Sequence, residues 1–163
     1  MNTGQTLLSI GALLLLSLSI LRVNNGILSS DSVLQDSKIG VLATSVATSL
    51  IEEANRKVFD DVSLIGAITN LNALTSPYSL GPEVGELFDT FDDFDDYNGY
   101  ARQDTIFDID FRMACSVNYI EPTNVDGFKM NKTWHKKITV NITSSFISDT
   151  LQFSSVYSYW YFR

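Results

Sequence analysis

The stretch from Gln5 to Leu21, QTLLSIGALLLLSLSIL, decides how the rest of the chain is arranged. It contains no charged residue and ten Leu or Ile residues, interrupted only by small or weakly polar side chains. Its 17 residues would extend about 25 Å as an α-helix, close to the thickness of a bilayer's hydrocarbon core. Each Leu or Ile favours insertion by roughly 0.5 kcal/mol, which outweighs the cost of the serines. Residues 5–22 are therefore predicted to form a transmembrane helix.

A secretory signal peptide is the main alternative for this stretch. Signal peptides begin with basic residues and end at a cleavage site of small residues. The first four residues, MNTG, carry no basic side chain, and the apolar run is followed by Arg22-Val23-Asn24-Asn25, a poor cleavage site. Both observations favour a helix that remains in the chain.

A helical pattern continues after the apolar run. Apolar residues recur at mostly helical steps from Ile27 through Leu34, Leu42 and Leu50 to Val58, and no proline occurs before position 77. We predict an amphipathic continuation of the helix over residues 23–60, with one apolar stripe that needs a partner.

Charge is distributed unevenly along the chain. Residues 60–110 contain twelve acidic side chains and one basic one, whereas residues 111–163 contain six basic and three acidic ones. We interpret this as charge matching within the molecule, with contacts between neighbouring subunits as the alternative. The net charge of −8 argues against a nucleic-acid partner, because phosphate contacts need clustered Lys and Arg.

Residues 61–105 are predicted to be an acidic loop region. Turn-forming residues such as Pro77, Gly81 and Pro82 divide it, and it shows little periodicity. Aromatic residues recur every three positions near its end and are expected to pack the loop onto the rest of the domain: Phe88, Phe91, Phe94, Tyr97 and Tyr100.

Residues 106–163 are predicted to form an antiparallel β-sheet. Apolar and polar residues alternate over three segments, 106–120, 134–143 and 151–162, joined by short connections. The second segment places Trp134, Ile138, Val140 and Ile142 on the inner face. The predicted fold class is thus α+β, a long N-terminal helix packed against a small antiparallel sheet.

This layout resembles the type IV pilins and pseudopilins. The chain start is similar to a prepilin processing site, in which a peptidase cuts after a glycine that precedes an apolar helix. The resemblance implies that residues 1–4 are a leader, that Gly4 precedes the cut and that Gln5 begins the mature chain. The family usually has glutamate where this chain has Ser9, and some minor members lack it.

The segment Asp92-Asp93-Phe94-Asp95-Asp96-Tyr97 also resembles an acidic stretch in pilin-like proteins of the mannose-sensitive haemagglutinin type. The combined resemblance implies a minor structural subunit of a bacterial type IV pilus or type II secretion-like filament. It implies a single-pass inner-membrane protein with its β-sheet domain outside the cytoplasm, and a cell-surface or extracellular filament after assembly.

The partners implied are other pilin-like subunits through the N-terminal helix, the lipid bilayer and a prepilin peptidase, with no nucleic acid. The alternative function is a single-pass, membrane-anchored envelope protein whose β-sheet domain is a binding module.

Four aspartates, Asp92, Asp93, Asp95 and Asp96, lie within five residues, and two interpretations remain open. Carboxylate oxygens suit Ca²⁺, which would relieve their mutual repulsion, although the spacing does not match an EF-hand. Alternatively, the carboxylates cap a helix end or remain in water. Apart from this Ca²⁺, no cofactor is expected.

An enzymatic function is not expected. The chain has one histidine, His135, and one cysteine, Cys115, on different predicted strands, and it has no nucleophile elbow or phosphate-binding glycine loop. The single cysteine also excludes an intrachain disulfide.

Overall fold

Helix α1 runs from Thr3 to Asn55 and precedes a four-stranded antiparallel sheet in the computed structural model, which describes residues 2–147 and 149–160. A single helical turn, α2, covers Val62–Ile65. The strands are β1 (Ala101–Ile106), β2 (Ile109–Tyr119), β3 (His135–Ser144) and β4 (Leu151–Ser158). The α+β class is confirmed. The chain divides into two compact units, residues 1–40 and residues 41–163, and we call the second unit the head.

In the first unit the apolar side chains of α1 are exposed. Leu7, Leu14 and Leu15 are 70%, 60% and 71% exposed. No residue in the most apolar 18 consecutive residues of the helix is buried. Two serines of this run satisfy their hydroxyls within the helix: Ser9 donates to the Gln5 carbonyl at 3.0 Å and Ser17 to the Leu13 carbonyl at 2.8 Å, which lowers their cost in lipid. This helix is long and apolar enough to cross a membrane.

In the head, the last turns of α1 bury one face. Ala43, Ala47, Leu50 and Ala54 lie at helical spacing and are 0–5% exposed. This face packs on the sheet, and Asn55 donates to the Ser155 hydroxyl of β4 at 3.4 Å.

Helix α1 ends at Asn55, five residues before the predicted end. Beyond it the chain turns at Arg56 and Lys57, whose N–H groups donate to the Glu53 and Ala54 carbonyls at 3.1 Å. Val58 then pairs with the acidic segment instead of continuing the helix. Its N–H donates to the Asp92 carbonyl at 3.2 Å, and its carbonyl accepts from the Phe94 N–H at 2.9 Å. This pairing brings Phe59 and Asp60 into the core, where they are 3% and 0% exposed.

The strand order is β1-β2-β3-β4, with every neighbouring pair antiparallel. The inner face of β2 carries the alternating residues that the sequence predicted, all 0–6% exposed: Phe111, Met113, Cys115, Val117 and Tyr119. On β3, Ile138, Val140 and Ile142 are each 0% exposed, as predicted.

The sheet has four strands where three were predicted. Residues 106–120 do not form one strand, because Phe107 and Asp108 make a two-residue hairpin turn between Ile106 and Ile109. Both turn residues have positive φ, 51° and 63°, as a type I′ hairpin requires. Phe107 is consequently 73% exposed. The loop region, predicted to end at residue 105, ends at residue 100, because β1 begins at Ala101.

The aromatic residues of the loop pack as predicted. Phe91, Phe94 and Tyr97 are 0–5% exposed, and the Phe94 ring lies 5.0 Å from the ring of Tyr157 on β4. The outer part of the predicted last strand, at Tyr161 and Phe162, lies outside the described residues.

Candidate functional site

The acidic turn, residues 92–97, places its four aspartates in different environments. Asp92 is exposed, whereas Asp93, Asp95 and Asp96 are only 1–2% exposed. Buried carboxylates need hydrogen-bond or charge partners, so each of these three side chains has to be accounted for separately.

Two of the carboxylates fold the turn itself. Oδ1 of Asp93 accepts from the backbone N–H groups of Asp95 at 2.7 Å and Asp96 at 3.2 Å. Oδ2 of Asp96 accepts from the N–H groups of Asp92 at 2.9 Å and Asp93 at 3.0 Å. These reciprocal bonds satisfy backbone donors that the tight turn would otherwise leave unpaired.

The third carboxylate, that of Asp95, belongs to a buried ion cluster with Lys136 and Asp60. The Lys136 side chain is 0% exposed, and its ammonium donates to Asp95 Oδ1, to Asp60 Oδ2 at 2.8 Å and to the Phe59 carbonyl at 2.7 Å. All three ammonium protons thus have acceptors. The ammonium also lies 4.6 Å from the centre of the Phe59 ring, a cation–π distance.

Asp60 is held by partners from two further segments. Its carboxylate accepts from the Thr75 N–H at 3.0 Å and from the Thr75 hydroxyl at 3.1 Å. The Tyr119 hydroxyl lies 3.4 Å from Asp60 Oδ2 and donates to the Thr75 carbonyl at 2.8 Å. The buried ion cluster therefore joins the segment that follows α1, the loop, the acidic turn and two strands.

This cluster explains part of the uneven charge distribution. Lys136, from the basic part of the chain, neutralises carboxylates from the acidic part, as charge matching within the molecule requires. The neighbouring bases pair elsewhere: Arg102 with Asp104 at 2.7 Å and Lys137 with Asp126 at 3.2 Å.

The acidic turn buries three carboxyl groups, whereas a single lysine, Lys136, lies within ion-pair distance of one of them. Burial and the charge of Asp95 raise the pKa of Asp93 to about 8, although Lys136 opposes the shift. Burial likewise raises the pKa of Asp95, again against the effect of Lys136. The structure thus favours a proton on Asp93 near neutral pH.

Asparagine at position 93 is expected to flatten the pH dependence of stability. The folded-state pKa of Asp93, about 8, exceeds its ordinary value of 3.8, so the folded protein binds the extra proton between these values. Stability must therefore fall as pH rises through this window, by up to about 1.4 kcal/mol per pH unit. Asp93→Asn carries no charge and keeps the Oδ1 acceptor, so it should exceed the parent in stability at pH 8.

Urea unfolding of the full chain in detergent at pH 5 and pH 8 measures this effect. Asp89→Asn, which removes a charge from an exposed site in the same segment, is the matched control and should follow the parent. Parallel pH profiles for Asp93→Asn and the parent would contradict the prediction.

A second acidic group lies beside the turn and includes Glu83, Glu86 and Asp96. One carboxylate oxygen of each lies within 4.8 Å of the others, and no other such group of ligands occurs within residues 2–147 and 149–160. A hydrogen bond with Glu86 and burial raise the pKa of Glu83 to about 7, and burial raises that of Asp96 to about 6. Of the four aspartates predicted as Ca²⁺ ligands, the group contains Asp96 alone.

Cys115 and His135 do not form a catalytic pair. Cys115 pairs in register with Val140, five residues along β3 from His135, which is about 17 Å at the rise of a strand. Burial raises the pKa of the Cys115 thiol to about 12, and His135 Nδ1 contacts the Ser158 hydroxyl at 2.7 Å. His135 is therefore too far away to act as a base for the thiol, and the thiol pKa is raised rather than lowered as in a reactive cysteine.

Gly4 and Gln5 lie in the first turn of α1. Both are exposed, and the Gln5 N–H donates to the Asn2 carbonyl at 2.8 Å. Apart from the adjoining residues and the backbone of the helix itself, nothing in the described structure lies within 4 Å of where a Cβ on Gly4 would be. Processing at this bond stays a prediction, and the surrounding space leaves room for a larger residue at position 4.

A scan against models of protein families and searches of curated proteins and of solved structures found nothing that matches this chain. The functional conclusion therefore depends on the residues and contacts described above.

Proposed function

We propose that this chain is a pilin-like structural subunit, of the minor kind, of a type IV pilus or type II secretion-like filament. Its N-terminal helix holds it in the inner membrane before assembly, with the head outside the cytoplasm. The observation that carries the proposal is the exposure of the first part of α1, where Leu and Ile side chains are 55–76% exposed over residues 7–21.

Such a surface needs a covering because exposed apolar area is costly in water. Lipid covers it in the membrane, and the helices of other subunits cover it in the filament. Each Leu or Ile that leaves lipid for another helix exchanges one apolar environment for another, so the transfer is close to neutral. Close packing between helices then decides whether the filament forms.

Ser9 stands where the resembled family usually has a glutamate, and this difference affects how subunits would associate. Serine is uncharged, and its hydroxyl donates to the Gln5 carbonyl of its own helix at 3.0 Å, so position 9 offers no carboxylate to attract the N-terminus of a neighbouring subunit. Association through α1 then depends on side-chain packing alone, which suits a subunit that joins a filament built mainly from others.

The structure of the head supports a structural function. Its buried ion cluster and aromatic contacts fix the acidic loop onto the sheet, which provides a rigid body for packing beside other heads. Catalysis is not part of the proposal, because Cys115 and His135 are separated on the sheet.

Processing provides the direct test. Gly4→Trp should prevent cleavage and retain the uncleaved chain in the membrane, because it removes the glycine after which a prepilin peptidase cuts. N-terminal sequencing should give Gln5 for the parent, in both membranes and sheared filaments. The matched control is Gly11→Trp, which adds the same side chain to the same helix at another position where nothing beyond the adjoining residues and the helix backbone lies within 4 Å of the added Cβ.

Sequencing of the Gly11→Trp protein should still begin at Gln5. An intact Met1 on the parent protein in sheared filaments would overturn the processing step. Absence of the parent from filaments, with full retention in the membrane, would favour the anchored binding module instead.

A further inference from the structure

Glu83 and Glu86 stand at the two ends of one tight turn. The Glu86 N–H donates to the Glu83 carbonyl at 3.0 Å, and Gly85 has φ of +93°, which a type II turn requires at this position. The Glu86 carboxylate folds back, and its Oε2 accepts from the Glu83 N–H at 3.0 Å. The turn therefore holds both carboxylates close together.

Asp96 supplies a third carboxylate from a different segment. One of its oxygens lies within 4.8 Å of an oxygen of each glutamate, and the residue is only 1% exposed. Its Oδ2 is used by the two backbone N–H groups of the acidic turn. Its Oδ1 is buried and has no hydrogen-bond partner among the described residues, although a buried carboxylate oxygen needs one.

Three carboxylates within such a distance repel one another when all three are ionised, and no lysine or arginine forms an ion pair with any of them in the described part of the chain. A cation between them would stabilise both the unpartnered oxygen of Asp96 and the neighbouring carboxylates of Glu83 and Glu86. Oxygen-only ligands of this kind bind hard divalent cations.

We propose that Glu83, Glu86 and Asp96 bind a divalent cation, with Ca²⁺ as the ion whose chemistry fits. Ca²⁺ accepts six to eight oxygens in flexible geometry, so three carboxylates from two loops can hold it with water completing the shell. The ion joins the Glu83–Glu86 turn to the acidic turn, and through Asp95 to the buried ion cluster. The site is structural and independent of whether the chain assembles into filaments.

The test measures Ca²⁺ binding to the full-length protein in detergent, by calorimetric titration and by thermal unfolding in EGTA, Ca²⁺ or Mg²⁺. A ligand that binds only the folded state raises the unfolding midpoint in proportion to the logarithm of its concentration. We expect one Ca²⁺ per chain and a midpoint several degrees higher in millimolar Ca²⁺ than in EGTA.

The deciding variant is Glu83→Gln/Glu86→Gln. It keeps the size of both side chains and an acceptor for the Glu83 N–H, and it leaves Asp96 to fold the acidic turn. The matched control, Asp89→Asn/Asp92→Asn, removes the same two charges from exposed positions in the same segment. The glutamine variant should lose the response to Ca²⁺, and the control should keep it.

A parent protein whose midpoint ignores Ca²⁺ would overturn the site. Equal loss of the response in both double variants would also overturn it, because that result indicates general attraction of Ca²⁺ to an acidic surface. Membrane retention and N-terminal processing are measured separately, so failure here leaves the proposed function untouched.

Discussion

Methionine in place of Lys136 is expected to lower the free energy of unfolding by about 3–5 kcal/mol. The ammonium is 0% exposed and is the common donor to Asp60, Asp95 and the Phe59 carbonyl. Methionine fills most of the same volume, so the loss comes from two buried carboxylates and one carbonyl without their cation. The free energy of unfolding of a typical protein is only about 5–15 kcal/mol, so this variant should be close to unfolding.

Urea unfolding of the full chain in detergent measures this change, and Lys137→Met is the matched control. Lys137 is the next residue and faces the opposite side of β3, where it pairs with Asp126; the two side chains are 16% and 100% exposed, so solvent reaches the pair. Exposed ion pairs contribute about 0–1 kcal/mol, so the control should remain near the parent. Equal losses in the two variants would contradict the importance of the buried ion cluster.

A triple variant, Lys136→Met with Asp60→Asn and Asp95→Asn, separates lost charge balance from lost packing. It removes the buried charges together with their partner, and a neutral buried group costs much less than an unpaired charge. We expect it to recover part of the stability that Lys136→Met loses. If it is instead less stable than the single variant, hydrogen bonding rather than charge dominates the cluster.

The burial of Lys136 could have been predicted from the alternation of residues along β3. Strict alternation places residue 136 on the same face as Ile138 and Val140, so a lysine there must be buried with acidic partners. The inner face was predicted from its apolar members alone, and the lysine between them was left out. The sequence therefore indicated a buried lysine with acidic partners at position 136. It did not indicate which acidic residues these partners are.

Asp60 and Asp95 are far from Lys136 in sequence, and their partnership depends on tertiary structure. Asp60 reaches the cluster because α1 ends at Asn55 and Val58 pairs with the acidic segment. Helical periodicity continued to Val58 and gave no signal for that ending. Tertiary pairing overrode the local pattern, as it often does for short segments.

The hairpin at Phe107 and Asp108 was missed for a local reason. Type I′ turns are recognised by Asn-Gly or Asp-Gly pairs, and Phe-Asp carries neither signal. Alternation across the turn also kept Phe107 in phase with Ile109, so one long strand was predicted from the pattern on both sides. By contrast, the aromatic residues at every third position correctly indicated that the loop packs onto the domain, because large apolar side chains are mostly buried in folded proteins.

Arginine in place of Leu14 is expected to release the protein from the membrane. Leu14 lies near the middle of the apolar run, where an arginine costs about 2.5–3.5 kcal/mol on insertion scales. The ten Leu and Ile residues together favour insertion by roughly 5 kcal/mol, so the change removes more than half of the anchor's free energy. Every 1.4 kcal/mol is a factor of about ten in partitioning, and the pelleted fraction after alkaline extraction should fall strongly.

Val41→Arg is the matched control for the anchor. Leu14 and Val41 are 60% and 69% exposed on the same helix, so neither substitution disturbs packing within the chain. Only Leu14 lies within the segment predicted to be in lipid, and the Val41 variant should therefore pellet with membranes like the parent. Release of both variants would indicate a general effect of charge on α1. Retention of both would mean that residues 5–22 are not what holds the protein in the membrane, and the proposed filament subunit would lose its anchor.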